Sequence, residues 1–387
     1  MKYTYIIILA LFFANSYSQD NEKTIILMDK EFDTPIEDAT ITILRTNQGL
    51  ISNKEGVFKI NLSRSSIIEI SHVFYKDLRI SSNSLKEKEN IIYLESNANN
   101  LEEVVITNKD PQDILKSIVE KSRKKITVPA NLKVYTREFF KKNDIYSYYN
   151  DGLLNFQILD DNNKVKTDIL VEQNRSIGFL DDFDKSILGY DLNNLMENYY
   201  MFTYLEDLLH SRAKKIYTFQ IRSYAQNDAY NYVIVKPLTS VLGELHEYSV
   251  LYDSKNELIM EVSSVLPNDR VSKDKSLLDF NRKNIFKSEY KNVYRYESHR
   301  YYLASSKEEI GFISHSKKKE VKVEIKNYFI TTEFRPKTFK YKNEEIFKGK
   351  TLINKTNSVL TDYWELDSGI ILTKDEESIL KSLVVID

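Results

Sequence analysis

The chain has 387 residues, 42% hydrophobic and 29% charged, a balance that belongs to a globular protein with room for two cores and excludes a disordered or fibrous one. Its 55 basic and 57 acidic residues leave a formal charge of −2, which carries none of the basic footprint of a nucleic-acid binder. With no cysteine, disulfides, thiolate metal sites and a Cys nucleophile are excluded together, and stability must come from packing.

Residues 1–18 predict a secretory leader: Lys2 supplies the positive start, residues 6–14 (IIILALFFA) the apolar run, and Ser16-Tyr17-Ser18 a small-x-small cleavage site, so the mature chain is expected to start at Gln19. That run is about half the ~20 residues a membrane helix needs, and no later segment approaches that length. No cysteine follows it to carry a lipid. The expected location is therefore outside the cytoplasm: periplasm, cell surface, outer-membrane periphery or secreted.

Residues 23–107 read as short apolar runs between turns. Strands are expected at 24–28, 39–44, 56–62, 67–71, 78–80, 91–94 and 103–107, at the spacing of a β-sandwich. Alternation is clearest where Ala39, Ile41 and Ile43 share one face, with Thr40, Thr42 and Leu44 on the other. Thr34-Pro35 opens the second strand, and Gly56 ends the turn begun at Asn53.

Four segments in order, FDTPIEDATITIL, TNQGLISNKEGVFKINL, IIEISHVFYKDLRI and NLEEVVIT, resemble the carboxypeptidase-regulatory-like module, a transthyretin-like β-sandwich of bacterial envelope proteins. Pro35 and Ala39 match its P-[IL]-x-x-A, Gly49, Gly56 and Phe58 its G-x-x-[ST]-x-x-x-G-x-F, and Ser71 and Tyr75 its S-x-x-G-Y. The sequence departs at Phe74, which replaces a glycine and implies a changed loop, and it lacks the glycine that opens the first strand. The resemblance implies a non-catalytic adaptor or folding partner. None of His72, His210, His246, His299 and His315 is followed at +3 by Glu, so the zinc pair of the peptidase that names the module is absent. Too few residues remain for the plug and barrel of an outer-membrane receptor.

Asp110-Pro111 predicts a helix start, Asp as N-cap and Pro at the first helical position. Ile114, Leu115, Ile118 and Val119 make one apolar stripe expected to dock on the region that follows, and Lys121, Arg123, Lys124 and Lys125 complement the helix dipole at its end. The boundaries expected are a leader over 1–18, a β-sandwich over 19–107, a connecting helix over 108–126 and a Tyr-rich antiparallel sheet domain over 127–387.

In that last region alternation marks half-buried strands at Tyr217, Phe219 and Ile221, at Tyr230, Tyr232 and Ile234, and at Tyr248, Val250 and Tyr252. A turn at Asp253-Ser254-Lys255-Asn256 leads to Leu258, Met260 and Val262 as a hairpin. Tyr290, Tyr294, Tyr296 and Tyr302 form another face, and residues 321–330 a strand whose alternation is strict over its first six residues. Leu192, Leu195, Met196, Tyr199, Phe202, Leu205 and Leu209 predict one helix packed on the sheet. The expected fold is mainly β, a sandwich and a larger antiparallel sheet with one or two helices, α+β overall. A curved sheet with a helix against it resembles, in architecture, periplasmic lipoprotein-carrier folds.

Chemistry is sparse. There is no G-x-S-x-G, the S-x-x-K matches at Ser122, Ser272 and Ser314 are those of a Lys-rich chain, and no Gly-rich phosphate loop occurs. Asp160-Asp161-Asn162-Asn163 lacks the glycine and glutamate of a calcium loop. Lys317, Lys318 and Lys319 read as a solvated hairpin tip. These features point to a non-enzymatic exported envelope protein, without metal or cofactor, that binds a protein partner or an apolar or lipid ligand. Tyr290, Tyr294, Tyr296 and Trp364, the only tryptophan, are the candidate contact residues. The alternative is a glycan or peptidoglycan hydrolase using carboxylates such as Asp181 and Asp184, with Asp182, Glu344 and Glu345 also available.

Overall fold

The structure, a computed structural model, describes residues 22–46, 48–72, 75–96, 108–161, 164–178, 180, 191–223, 229–271, 283–316, 319–353, 355–359 and 369–384. The leader at 1–18, Phe74, the strand expected at 103–107, Asn162 and Asn163, the acids at 181, 182 and 184, Lys317 and Lys318, and Trp364 lie outside the described residues.

Among the described residues seven strands build the N-terminal module: β1 (Glu22–Asp29), β2 (Thr40–Ile43), β3 (Gln48–Ile51), β4 (Val57–Asn61), β5 (Ile67–His72), β6 (Tyr75–Ser81) and β7 (Glu89–Leu94). They form sheets of order β4-β1-β7 and β3-β2-β5-β6, and only the β1–β7 pair is parallel. Ile25, Leu27, Phe58 and Leu94 from one sheet share a buried core with Ile41, Ile43, Ile68 and Ile70 from the other, which makes the module a sandwich. Strand β3 is absent from the sequence reading because Gln48-Gly49-Leu50-Ile51 is too short and Gly-containing to alternate. Gly56 has φ +73°, and a Cβ there would lie 2.4 Å from the Leu27 carbonyl oxygen, so its freedom is required.

Ten strands make one antiparallel sheet: β8 (Ala130–Lys142), β9 (Ile145–Asp161), β10 (Lys164–Gly178), β11 (Tyr217–Ser223), β12 (Tyr230–Pro237), β13 (Glu247–Asp253), β14 (Leu258–Val265), β15 (Lys283–Glu297), β16 (Arg300–Ser316) and β17 (Lys319–Arg335). Their order is β10-β9-β8-β17-β16-β15-β14-β13-β12-β11, so two runs of hairpins meet where β17 returns beside β8. Strands β8 and β9, missing from the sequence reading, alternate poorly because both of their faces are covered; β10, also missing, has Thr167 and Ile169 buried and Lys164, Lys166 and Glu172 exposed. In the β13–β14 hairpin Leu251 pairs Glu261 but Tyr252 pairs Ile259. Met260 is the extra residue of this bulge and joins Tyr232 and Leu251 on the face opposite Val250 and Val262.

Among the described residues four helices accompany the sheet: α1 (Pro111–Lys125), α2 (Leu192–Met201), the single turn α3 (Glu206–Leu209) and α4 (Lys374–Val384). The first three cover what we call the inner face, where Leu115, Ile118 and Val119 of α1 pack with Leu132, Phe156, Val233, Val250 and Val262. Asp110 accepts the Gln112 amide at 2.9 Å, and Ser122 Oγ accepts the Ile259 amide at 2.9 Å, pinning α1 to β14. The basic end of α1 is engaged within the chain, Arg123 by the Met201 carbonyl and Glu206, and Lys121 by Glu257. On the outer face α4 packs Leu383 against Tyr149, Leu153 and Ile330. Among the described residues no helix is long and apolar enough to cross a membrane.

Candidate functional site

The module rests on the outer face of the large sheet. Its lip, β3, approaches β17 so closely that a Cβ on Gly49 would stand 3.0 Å from the Thr331 carbonyl oxygen, and the Ile51 amide donates to the Gly369 carbonyl at 2.7 Å. Beside this contact β15 and β16 project charges at every second residue. Lys291 lies 3.5 Å from Asp38 and 3.3 Å from Glu261, while Lys307 bonds Glu37 at 2.8 Å and Asp38 as well. Burial pushes the Asp38 carboxyl up, but Lys307 and Lys291 outweigh it and hold Asp38 below its ordinary value. Burial likewise pushes Lys291 down, and Glu261 and Asp38 reverse the sign.

This knot separates two clefts. The first, of about 600 Å³, has β2, β5 and β6 of the module on one side and β12 to β15 on the other. Its apolar floor is Tyr230, Leu251, Met260 and Val293, and its walls carry both signs of charge, with Glu69, Asp77 and Glu297 against Lys76, Arg79 and Arg295. Arg79 bonds Glu69 at 2.9 Å, and Arg295 donates to Thr42 Oγ1 at 2.9 Å across the two parts. His72 in the module wall is driven down to about 4, by burial first and by Lys291 second, and is neutral at physiological pH. Burial, helped by Glu69, raises Asp77. The second cleft, of about 580 Å³, lies between Glu37 and Lys54 of the module and a sheet wall that includes Ile234, Tyr248 and Glu289. Asp38 and Lys291 line both clefts.

The candidate tyrosines are brought together along β15. Tyr294 is buried, its hydroxyl donating to the Tyr199 carbonyl at 2.8 Å and lying 2.9 Å from the Tyr204 hydroxyl. Tyr290 meets the Tyr204 ring edge-on at 5.5 Å, and Tyr296 meets Tyr301 edge-on at 6.4 Å. Tyr294 and Tyr296 contribute to the wall of the first cleft and Tyr290 to that of the second. Glu344 and Glu345 sit in an exposed turn, where Glu345 accepts the Lys342 amide at 2.6 Å. Among the described residues no group of three or more His, Asp or Glu side chains is placed to hold a metal. Sequence reasoning missed Asp38, Lys291 and Lys307. The signal was present in the period-two row Lys287, Glu289, Lys291, a polar strand face that needs solvent or a charged partner.

The fold of the wall-forming module and its ordered motifs have a counterpart among known families. Residues 26–106 match the CarboxypepD_reg-like domain. No curated protein matches the chain significantly. Among solved structures the chain is similar to a DUF1329 family protein from Desulfovibrio piger, at 9% identity over 59% of this chain and 93% of that one, with a TM-score of 0.27. It is also similar to a LolA superfamily protein from Nitrosomonas europaea, at 11% identity over 60% of this chain and 97% of that one, TM-score 0.24. A lipovitellin structure aligns at 9% identity over 55% of this chain and 26% of its own, TM-score 0.24. The CarboxypepD_reg-like domain supplies Asp38, Glu69, His72, Asp77 and Arg79 to the clefts, so the walls are built jointly by this domain and the large sheet.

Proposed function

We propose that this chain is a non-catalytic binding protein of the cell envelope, in which the CarboxypepD_reg-like domain and the large sheet together grip a segment of a partner protein in the clefts beside Asp38. The observation that carries this is the first cleft, where an apolar floor of Tyr230, Leu251 and Met260 lies between walls of both charge signs. Such a lining suits a polypeptide, whose apolar side chains, amides and charges find partners together. An acyl chain suits walls that are predominantly apolar. The inner face of the large sheet is filled by Tyr200, Phe202, Leu205 and Tyr301, all buried. The leader pattern of residues 1–18 and the domain at 26–106 support the envelope location.

The test places a photo-crosslinking residue at Met260 on the cleft floor and, as control, at exposed Ile145 on the β8–β9 turn, in cells with an intact envelope. One discrete protein adduct at Met260 and none at Ile145 is the expected result. Absence of an adduct at Met260, with lipid retained by the purified chain in native mass spectrometry, would replace the protein partner with an apolar ligand.

A further inference from the structure

The large sheet has two outermost strands, and the chain closes one of them itself. Along β10, Asn174 exchanges both backbone hydrogen bonds with Ser358 at 2.9 Å, the Phe347 amide donates to the Ile169 carbonyl at 2.8 Å, and Asn357 brackets Ser176. At the other end, among the described residues, β11 has β12 on one side and no strand on the other. Natural sheets blunt such an edge with lysine, proline, a bulge or a covering segment, because its amides and carbonyls template another strand. Strand β11, Tyr217-Thr218-Phe219-Gln220-Ile221-Arg222-Ser223, has no Lys, Pro or Gly, and its pairing to β12 runs without a register shift.

We propose that β11 is a self-association edge, pairing antiparallel with β11 of a second copy about a two-fold axis at Gln220. This register is the one that uses all seven residues. It sets Phe219 against Ile221, Thr218 against Arg222, and Tyr217 against Ser223, each pair occurring twice, with Gln220 opposite its own copy. Odd positions face odd and even face even, so Tyr217, Phe219 and Ile221, which pack on the inner-face core, continue into the same residues of the partner. An aromatic residue against a β-branched one is a favourable cross-strand pair. The strand's one charge, Arg222, meets Thr218 and not its own copy. A second copy is thus the occupant this edge fits without an opposed charge, and the two sheets would join into one.

Sedimentation equilibrium of the full chain reads this directly. Gln220 is exposed, so a substitution there acts on the axis and leaves the fold of the protomer intact. The wild-type chain is expected to dimerise. Gln220→Lys and Gln220→Glu, each placing like charges face to face, should weaken the dimer by about tenfold or more. An equimolar mixture of the two variants should restore dimer, because lysine then faces glutamate. A wild-type chain monomeric at all concentrations, a Gln220→Lys chain that dimerises as wild type does, or a mixture no more dimeric than its components would each overturn the proposal.

Discussion

Glu138 is a carboxylate whose chemistry the fold alters. It lies on the inner face of β8 between its cross-strand neighbours Asn150 and Asn327, and is 2% exposed. Asn150 Nδ2 donates to its Oε1 at 3.1 Å, whereas its Oε2 and the Asn327 Oδ1 are both buried acceptors without a donor. Burial, with Glu308 adding to it, pushes the Glu138 carboxyl up to about 8. A proton on Oε2 directed at Asn327 would satisfy both acceptors at once. Between the unfolded value of about 4.3 and the folded value the native state holds one proton more than the unfolded chain, so stability falls as pH rises through that window, by about 1.4 kcal/mol per unit at most. Gln in this position copies the neutral acid and does not titrate. Glu138→Gln should therefore gain in melting temperature relative to wild type as pH is raised from 5 to 8.5. A difference that stays constant with pH would show that Glu138 is ionised throughout. Nothing in NLKVYTREFFKK marks this, since a Glu two residues beyond a Thr on a strand reads as solvent-facing until Leu192 and Leu352 are seen to close over it.

At the scale of elements, legibility followed coverage. Apart from β3, the strands of the module and β11 to β17 were readable where one face was buried and the other polar, and the stripe of α1 was readable for the same reason. Where both faces are covered, as along β8 and β9, alternation vanished. Helix α4 was overlooked although its capping box stands in the sequence as Thr373-Lys374-Asp375-Glu376. Thr373 Oγ1 accepts the Glu376 amide at 3.2 Å, and Glu376 Oε2 accepts the Thr373 amide at 3.1 Å. The same carboxylate reaches the sheet, 3.4 Å from Arg137, 3.1 Å from Lys326 and 3.1 Å from the Tyr328 hydroxyl. Burial pushes Glu376 up, but Arg137 and Lys326 hold it below its ordinary value. Arg137 itself is 1% exposed and also bonds the Ile370 carbonyl at 2.8 Å. Glu376→Ala strips a buried guanidinium of its carboxylate and the helix of its cap, and should cost about 3–5 kcal/mol. A loss of unfolding free energy, read from urea denaturation, of less than a third of that would mean that α4 is held by Leu383 and its apolar neighbours alone.

For the whole molecule the question is what holds the module against the sheet, because the clefts exist only while it is docked. Two contacts compete in size. Ile51 is 4% exposed among Tyr135, Tyr328 and Ile330, and burying one such side chain is worth about 1.5–3 kcal/mol. In the charge knot the Asp38 and Lys307 side chains each retain 18% exposure, so solvent screening brings the cost of removing Asp38 below the 3–5 kcal/mol of a fully buried pair, to about 1–3 kcal/mol. Neither contact outweighs the other. Asp38→Asn should therefore lower stability by that amount while leaving the radius of gyration unchanged in small-angle scattering, because Ile51 and the Gly369 carbonyl still hold the lip. Adding Ile51→Asp removes the second hold, and the radius of gyration should then rise as the module swings free. Expansion by Asp38→Asn alone would mean that the knot is the sole clamp, and the clefts would then open whenever Lys291 and Lys307 lost their shared acid.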